Sequence, residues 1–317
     1  MKTVSVVIPA YNEEDSLPQV KREMDQLIGS VPGIDFEFIL IDNASTDATP
    51  KLSKEICAKD PRWKYIRFSR NFGSEASIAA GLRICTGDAA IVCFSDLQDP
   101  PHYIPEFIKK WLEGADVVYG IYSGSGDHEK AWKRYMSRVF YYIVQKISDI
   151  PLVPYAGDFR LYDRKVLRAI NVLREKNRYM RGLAQWVGFN GVMLRYERKP
   201  RYAGKSKASF NHLVNFAVSV MVNFSDKPLK IFTNLGLFVC FGSFLLMILQ
   251  FYNFFFKPIV PGLTTTLVLM TFNLGFTSLG FGILGEYIGK TYREVKGRPI
   301  WVIADTVGIE PGEDWVG

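Results

Sequence analysis

The 317-residue chain is poor in histidine and cysteine, and the few it has are badly placed for metal or disulfide chemistry. His102, His128 and His212 are scattered, with no HxxxH or HExxH spacing, and Cys57, Cys85, Cys93 and Cys240 form no CxxC pair. Neither a zinc centre nor a disulfide framework is indicated, and a reducing compartment fits. A GxGxxG turn is missing after the first apolar run, where Pro9 to Glu14 read PAYNEE instead, which speaks against a dinucleotide-binding dehydrogenase. The first residues, MKTVSVVIPAYNEE, lack the regions of a signal peptide because Pro9 and Glu13 interrupt them early. No basic segment with interleaved aromatics marks a nucleic-acid site, so no nucleic-acid partner is expected. The balance of 39 basic against 32 acidic residues is only mildly basic, and much of the surplus flanks the apolar end of the chain, which suggests anionic lipid headgroups. Internal repeats and low-complexity tracts are absent.

What the chain has in excess is two charge-free apolar runs, Ile231 to Phe256 and Pro258 to Gly285. A bilayer core of roughly 30 Å needs about 20 apolar residues in helical form, so both runs are expected to span. Backbone amides cannot go unpaired in hydrocarbon, so each should be an intact helix, with Gly236, Gly242, Gly275, Gly280 and Gly282 allowing close helix contact and a possible homo-oligomer. Lys227 and Lys230 precede the first run, Lys290, Arg293, Lys296 and Arg298 follow the second, and the connection from Lys257 to Gly262 has one basic residue. That asymmetry places both flanks in the cytoplasm and the loop outside. Two buried core helices are the competing reading, disfavoured by run length and basic flanks.

Before residue 200 the pattern is that of an α/β enzyme. Val4 to Ile8, Phe36 to Ile41, Tyr65 to Phe68 and Ala89 to Phe94 read as strands, with helices from Asn12–Asp15 through Leu27 and around Glu75 to Ile84. Such alternation implies a mostly parallel sheet, and ligands then bind beyond the carboxyl ends of the strands. Pro9-Ala10-Tyr11-Asn12, Asp42 and Ser95-Asp96 all fall there, so three polar loops should converge. An acidic loop set suits a nucleotide, with a metal carrying diphosphate charge. Asp96 is the expected ligand of Mg²⁺ or Mn²⁺, which bind through one or two carboxylates plus substrate phosphates. For Asp99 a helix N-cap is expected. Residues 129–147 mix basic and aromatic side chains, and 209–225 are amphipathic, as interfacial helices would be.

PAYNEE, IDNASTDAT, SRNFGSEASIAAGL, SDLQDPP, AGDFRLYDRKVL and YAGKSKASF occur in one order and spacing. Over nearly the whole chain, including the tail TYREVKGRP, this resembles the polyprenyl-phosphate glycosyltransferases of glycosyltransferase family 2, of the GtrB-type and dolichol-phosphate-mannose-synthase-like kind. The resemblance implies an α/β GT-A domain over 1–204, an amphipathic segment over 205–228, a transmembrane hairpin over 229–288 and a cytoplasmic tail over 289–317. It implies an integral protein of the bacterial inner membrane, with catalytic domain and both termini cytoplasmic. The implied reaction is inverting transfer from a nucleotide diphosphate sugar to a polyprenyl phosphate, with UDP-glucose preferred and UDP-N-acetylhexosamine, UDP-galactose and GDP-mannose as alternatives. Residue by residue, Pro9, Ala10, Tyr11, Glu13 and Asp42 would hold the nucleoside, Asp96 and Gln98 the metal and diphosphate, and Arg201, Lys205 and Lys207 the phosphates near the membrane. Asp158 matches the aspartate usually assigned as base, and Arg70 and Asn71 are read as nucleotide-binding.

The chain departs from the family pattern at three places. Phe94 stands where the first aspartate of Asp-Ala-Asp-Leu-Gln is common, Asp42-Asn43-Ala44-Ser45 replaces Asp-Asp-Gly-Ser, and Ile121, Tyr122 and Ser123 stand where an arginine often follows Gly120. A phosphate monoester is already largely dianionic at neutral pH, with a second pKa of about 6, so Asp158 is expected to orient the acceptor more than deprotonate it. A non-catalytic membrane scaffold retaining the fold is the rival reading, argued against by Asp42, Asp96, Gln98 and Asp158. A processive synthase is argued against by the small number of apolar runs.

Overall fold

In the computed structural model, the described residues are 1–122, 153, 156–176, 178–199, 227–256 and 262–310. They fall in two compact units, one made from the described residues before 200 and after 296, the other from 227–296.

The first unit is built on strands β1 (Lys2–Ala10), β2 (Ile34–Asp42), β3 (Trp63–Phe68), β4 (Ala89–Val92), β5 (Val117–Tyr122), β6 (Ala156–Asp163), β7 (Gly191–Tyr196) and β8 (Ile303–Val307). Between them run α1 (Leu17–Asp25), α2 (Thr49–Lys59), α3 (Ser74–Ile84), α4 (Ile104–Leu112), α5 (Arg164–Val172) and α6 (Met180–Trp186). The strands form one sheet in the order β7-β5-β6-β4-β1-β2-β3-β8. The run β3-β2-β1-β4 is parallel throughout, β6 is antiparallel to both its neighbours, β5 and β7 are parallel, and β8 closes the far edge antiparallel to β3. The strands expected from the sequence near residues 4, 36, 65 and 89 are β1 to β4, and the mostly parallel α/β sheet is the one the resemblance implies.

Parallel strands buried on both faces read as continuous apolar runs, and β1 and β2 do so, with Val4, Val6, Val7 and Ile8 lying against Phe38, Ile39, Leu40 and Ile41 in the core. Helices contribute one face each. Leu17, Val20 and Met24 of α1 and Ile104, Phe107, Ile108 and Trp111 of α4 recur at helical spacing and are buried. In α3 the whole run from Ala76 to Leu82 is buried, and its small residues let it approach β1 so closely that a Cβ on Gly81 would lie 2.2 Å from Val7 Cγ1.

The C-terminal segment, expected as a tail, contributes a strand to the sheet. After residue 296 the chain returns to the first unit, buries Trp301 and adds β8 to the sheet. No apolar run announces this strand, because Ile303 to Val307 read IADTV and pair along one side only.

In the second unit α7 (Lys227–Phe256) and α8 (Leu263–Val295) meet where Phe232, in the second turn of α7, stacks on Phe276, near the middle of α8, at 5.0 Å. Of the glycines expected at this contact only Gly280 serves it, where a Cβ would meet Phe232 Cζ at 2.2 Å. At Gly236, Gly242, Gly275 and Gly282 a Cβ meets nothing within 4 Å. Large side chains, including Phe238, Phe241, Met270 and Phe281, are exposed along both helices. Among the described residues one window, Leu229–Leu246, is long and apolar enough to cross a membrane. No second such window occurs among the described residues.

At Gly120 in β5 an added Cβ would lie 2.5 Å from the Phe159 carbonyl oxygen of the paired strand, a contact that only backbone movement relieves. Gly120→Ala is therefore expected to destabilise the first unit by about 1–3 kcal/mol. Thermal unfolding of the purified variant should show a lower midpoint; an unchanged one would refute the packing.

Candidate functional site

β1 and β2 end in one row, with Ala10 opposite Asp42, and the loops beyond them are tied by the last free backbone groups of the strands. Asn43 N donates to the Ala10 carbonyl at 3.0 Å, while Ser95, just past β4, donates from N at 3.4 Å and from Oγ at 2.9 Å to the Pro9 carbonyl. Pro9 and Ala10 thus hold the other two loops together through their carbonyls. The convergence expected from the sequence is present.

Side chains continue the ties. Asn12 N donates to Ser45 Oγ at 2.9 Å, Asn12 Oδ1 accepts from Thr46 N at 2.8 Å, and Glu13 N donates to Thr49 Oγ1 at 2.9 Å. The Glu13 carboxylate accepts from Ser16 Oγ at 2.6 Å beside the start of α1, and Tyr11 is half-buried. Asp42 is 1% exposed: Oδ1 accepts from Ser45 N at 2.8 Å, Oδ2 from Tyr65 OH at 2.9 Å, and Arg67 Nε lies 3.8 Å away. Burial, followed by the charge of Asp42 and their bond, raises the pKa of the Tyr65 hydroxyl, so it stays a donor. The Arg70 to Gly73 loop hangs from Asn43, whose Oδ1 accepts from Phe72 N at 2.8 Å and whose Nδ2 donates to Asn71 Oδ1 at 3.0 Å. Arg70 is exposed, its guanidinium 3.9 Å above the Phe72 ring.

Three non-glycine residues have left-handed backbone among the described residues: Asn12 at φ 55°, Ala44 at φ 61° and Leu97 at φ 53°. Each belongs to a different one of the three loops. Such conformations cost of order 1 kcal/mol or more and persist where surrounding structure enforces them, and here all three sit at strand carboxyl ends.

In the acidic loop, Asp96 Oδ1 accepts from Gln98 N at 3.2 Å, and the Gln98 carbonyl accepts from Lys199 N at 2.9 Å. Phe94, at the place of the missing aspartate, is half-buried. Asp99 is not the helix cap expected of it. Its Oδ1 accepts from Tyr196 OH at 2.6 Å and lies 3.3 Å from Arg198 Nε, because the end of β7 lies against this loop and brings two donors to a buried carboxylate. Burial raises its pKa, Arg198 and Tyr196 oppose the rise, and Asp96 and Asp158 add to it. Those three carboxylates therefore share one electrostatic neighbourhood. No cluster of three or more His, Cys, Asp or Glu able to hold a metal occurs among the described residues. The donor set fits a hard cation that takes one protein carboxylate, Asp96, and completes its shell with substrate phosphate and water.

Asp158, in β6, is gripped by Arg181 of α6 through two parallel bonds, Nε to Oδ1 at 2.7 Å and Nη2 to Oδ2 at 2.5 Å. Burial pushes its pKa upward, but the charge and bonds of Arg181, helped by Arg160 and Arg198, outweigh that and hold it below the usual carboxylate range. The carboxylate is thus ionised across the neutral range and weakly basic. Glu75 also belongs here: its Oε2 accepts from Met180 N at 3.0 Å, and burial, then the charge of Asp158, raises its pKa to about 7. Sequence reasoning missed Glu75, Arg181 and Tyr65. The signal for Glu75 was a charged residue at the head of an otherwise apolar helix; for Arg181 no local signal existed. Arg201, Lys205 and Lys207, the 129–147 stretch and residues 205–226 lie outside the described residues.

Residues 5–170 match the model of the family described as glycosyl transferase family 2. A bactoprenol glucosyl transferase of Shigella phage SfX is 38% identical over 306 residues, covering 95% of this chain and 98% of its own. A prophage bactoprenol glucosyl transferase homolog of Escherichia coli K12 is 37% identical over 306 residues, covering 95% and 98%. An uncharacterised glycosyltransferase of Synechocystis sp. is 36% identical over 317 residues, covering 97% and 96%. The chain belongs to glycosyl transferase family 2 and is a glycosyltransferase with a GT-A-like α/β domain.

Because Asp42 satisfies two buried donors, Asp42→Ala leaves Ser45 N and Tyr65 OH without their acceptor, at about 1–3 kcal/mol. Tyr65→Phe removes one bond and is expected to cost about 1 kcal/mol. Chemical denaturation should rank wild type, Tyr65→Phe and Asp42→Ala in falling stability; equal midpoints would exclude this anchoring.

Proposed function

We propose that the protein transfers glucose, with inversion, from UDP-glucose to a membrane polyprenyl phosphate, giving a polyprenyl-phosphate-linked sugar. The observation that carries this reading is the knitting of three strand-end loops around Asp96, next to a second anion-handling centre at Asp158 and Arg181. Pro9, Ala10, Tyr11, Glu13 and Asp42 with Arg70 and Asn71 would frame the nucleoside, and Asp96 with Gln98 would meet the diphosphate. In this reading Asp42 works through Ser45 and Tyr65, as a residue that shapes the loop. Near-full-length likeness to bactoprenol glucosyl transferases supports glucose and a polyprenyl carrier.

Chemistry at such a site is mainly the handling of negative charge. Asp96 would hold Mg²⁺ or Mn²⁺, which would neutralise the departing diphosphate. Asp158, ionised and clamped, orients; a carboxylate with lowered pKa is a poor proton acceptor, and an acceptor phosphate dianion needs none. Arg201, Lys205 and Lys207 would bring positive charge to the two substrates, whose positioning is itself worth several kcal/mol.

A two-span hairpin, with both flanks cytoplasmic, is part of the proposal. β8 follows the hairpin yet is hydrogen-bonded into the sheet that precedes it, which supports a topology with the chain before α7 and after α8 on one side of the membrane. If Leu229–Leu246 crosses, α8 crosses back. The basic flanks supply the orientation, and exposed apolar surface along both helices the driving force.

Purified protein given radiolabelled UDP-glucose, UDP-N-acetylhexosamine, UDP-galactose or GDP-mannose with a short polyprenyl phosphate should form lipid-soluble product from UDP-glucose, and chelation should abolish it. Asp96→Asn should lower turnover by about two orders of magnitude or more. Absence of product with every donor would favour the scaffold reading. A tag placed in residues 257–262 should react with a membrane-impermeant reagent from outside intact cells while tags at either terminus do not; labelled termini would overturn the hairpin.

A further inference from the structure

The carboxyl of Glu75 has no part in the loops that frame the nucleotide, yet it stands where two halves of the site meet. Glu75 lies in the first turn of α3, directly after the Arg70 to Gly73 loop, and reaches 105 residues along the chain to accept from Met180 N at 3.0 Å. Met180 opens α6, and the next residue, Arg181, grips Asp158. On the other side Arg160, 1% exposed, donates from Nη1 to the Arg181 carbonyl at 3.0 Å and from Nε to the Gly157 carbonyl at 2.8 Å. The backbone at the head of α6 is therefore held at one amide by Glu75 and at one carbonyl by Arg160, which leaves the Arg181 side chain to clamp Asp158.

We propose that Glu75 is a positioning residue of the Asp158 centre, fixing the start of α6 for the Arg181 grip, and that it is the group through which a proton tunes that centre. The charged and titratable groups that face it are Asp158, Arg160 and Tyr162 from β6, Tyr179 just before α6, and Arg181 from α6. Burial and the neighbouring Asp158 carboxylate both favour the neutral acid, so Glu75 keeps its proton to about pH 7. While neutral it accepts from Met180 N and leaves the whole charge of Arg181 to Asp158. Once ionised it competes for that guanidinium and adds a negative charge beside Asp158, where a phosphate dianion must approach.

Glu75→Gln keeps an oxygen acceptor for Met180 N and removes the titration. The native state of the wild type holds a proton that the unfolded chain releases near the ordinary glutamate range. Wild-type stability contributed by Glu75 is therefore complete below that range and is lost as pH rises to about 7. The unfolding midpoint of Glu75→Gln, measured against wild type in detergent, should rise by about 3–6 °C more at pH 8 than at pH 5.5. A gap that does not change with pH would overturn the proton assignment, and this arm needs no substrate.

The kinetic arm rests on the proposed transfer reaction. Wild-type turnover should rise with ionisation of the acceptor phosphate and fall on an alkaline limb centred near pH 7, by about threefold or more by pH 8.5. Glu75→Gln should lose that limb. Glu75→Ala, which removes the acceptor for Met180 N as well, should lower kcat with the KM for donor little changed. An alkaline limb of unchanged midpoint in Glu75→Gln would sink the role in tuning, and wild-type kcat in Glu75→Ala the role in positioning. If no donor gives product, the transfer reading fails by itself and the unfolding measurements still judge Glu75.

Discussion

The parallel alignment of β1 with β2, which puts Ala10 opposite Asp42 at the last rung, is the constraint from which the polar end of the first unit is built. A strand that stops leaves carbonyls without a ladder partner, and buried backbone groups must find one. Here the Pro9 and Ala10 carbonyls take their donors from Ser95 and Asn43, so the end of one strand becomes the anchor of two foreign loops. Slipping the β1–β2 register by one residue would turn Asp42 to the opposite face and separate it from Tyr65 and Ser45. The left-handed residues Asn12, Ala44 and Leu97 then follow, since each loop must leave its strand sharply and return to a fixed partner.

Charge is sorted within this frame. Asp42 has Arg67 nearby, Asp99 has Arg198, and Asp158 has Arg181, each cation supplied by a different element. Pairs of this kind add little net stability, because desolvation offsets attraction, but breaking one leaves a buried charge and costs much more. Their value lies in arrangement. A site meant for anionic substrates can contain several carboxylates only if their charge is already compensated, and the bidentate Arg181 grip does this for Asp158 while fixing its orientation.

The parts legible in the sequence are those encoded locally. Apolar runs ending in turn residues mark β1, β2 and β4, and the loops PAYNEE, Asp42-Asn43-Ala44-Ser45 and Ser95-Asp96 follow from them, so their meeting could be anticipated from the logic of parallel sheets. The cluster of Glu75, Arg160 and Arg181 could not, since it joins three elements through contacts that no periodicity records. Asp99 shows the opposite error. An aspartate before two prolines has the local signature of a cap, and tertiary partners from β7 overrode it. Similarly, five glycines in the apolar helices suggested a close contact, but α7 and α8 meet through stacked phenylalanines and need space only at Gly280.

β8 links folding of the sheet to the rest of the chain. Everything from residue 197 to 302, including the two long helices, lies between β7 and β8 in sequence, so the exposed side of β3 is covered only after that whole stretch has been made. An uncovered edge strand presents unpaired N–H and C=O groups and invites pairing with other chains. β3 reads WKYIRF, with Trp63, Tyr65, Ile66 and Phe68 all buried, so it is an edge that needs covering. The cover is secured by the burial of Trp301, by ladder pairing from Tyr65–Val307 to Phe68–Ile303, and by Lys54 of α2 bonded to Asp305. Closing so long a loop costs only slowly more entropy as it lengthens, which makes a large insertion between sheet strands thermodynamically affordable. The sheet is therefore completed by a strand delivered from beyond the apolar helices, the last of its strands in the chain.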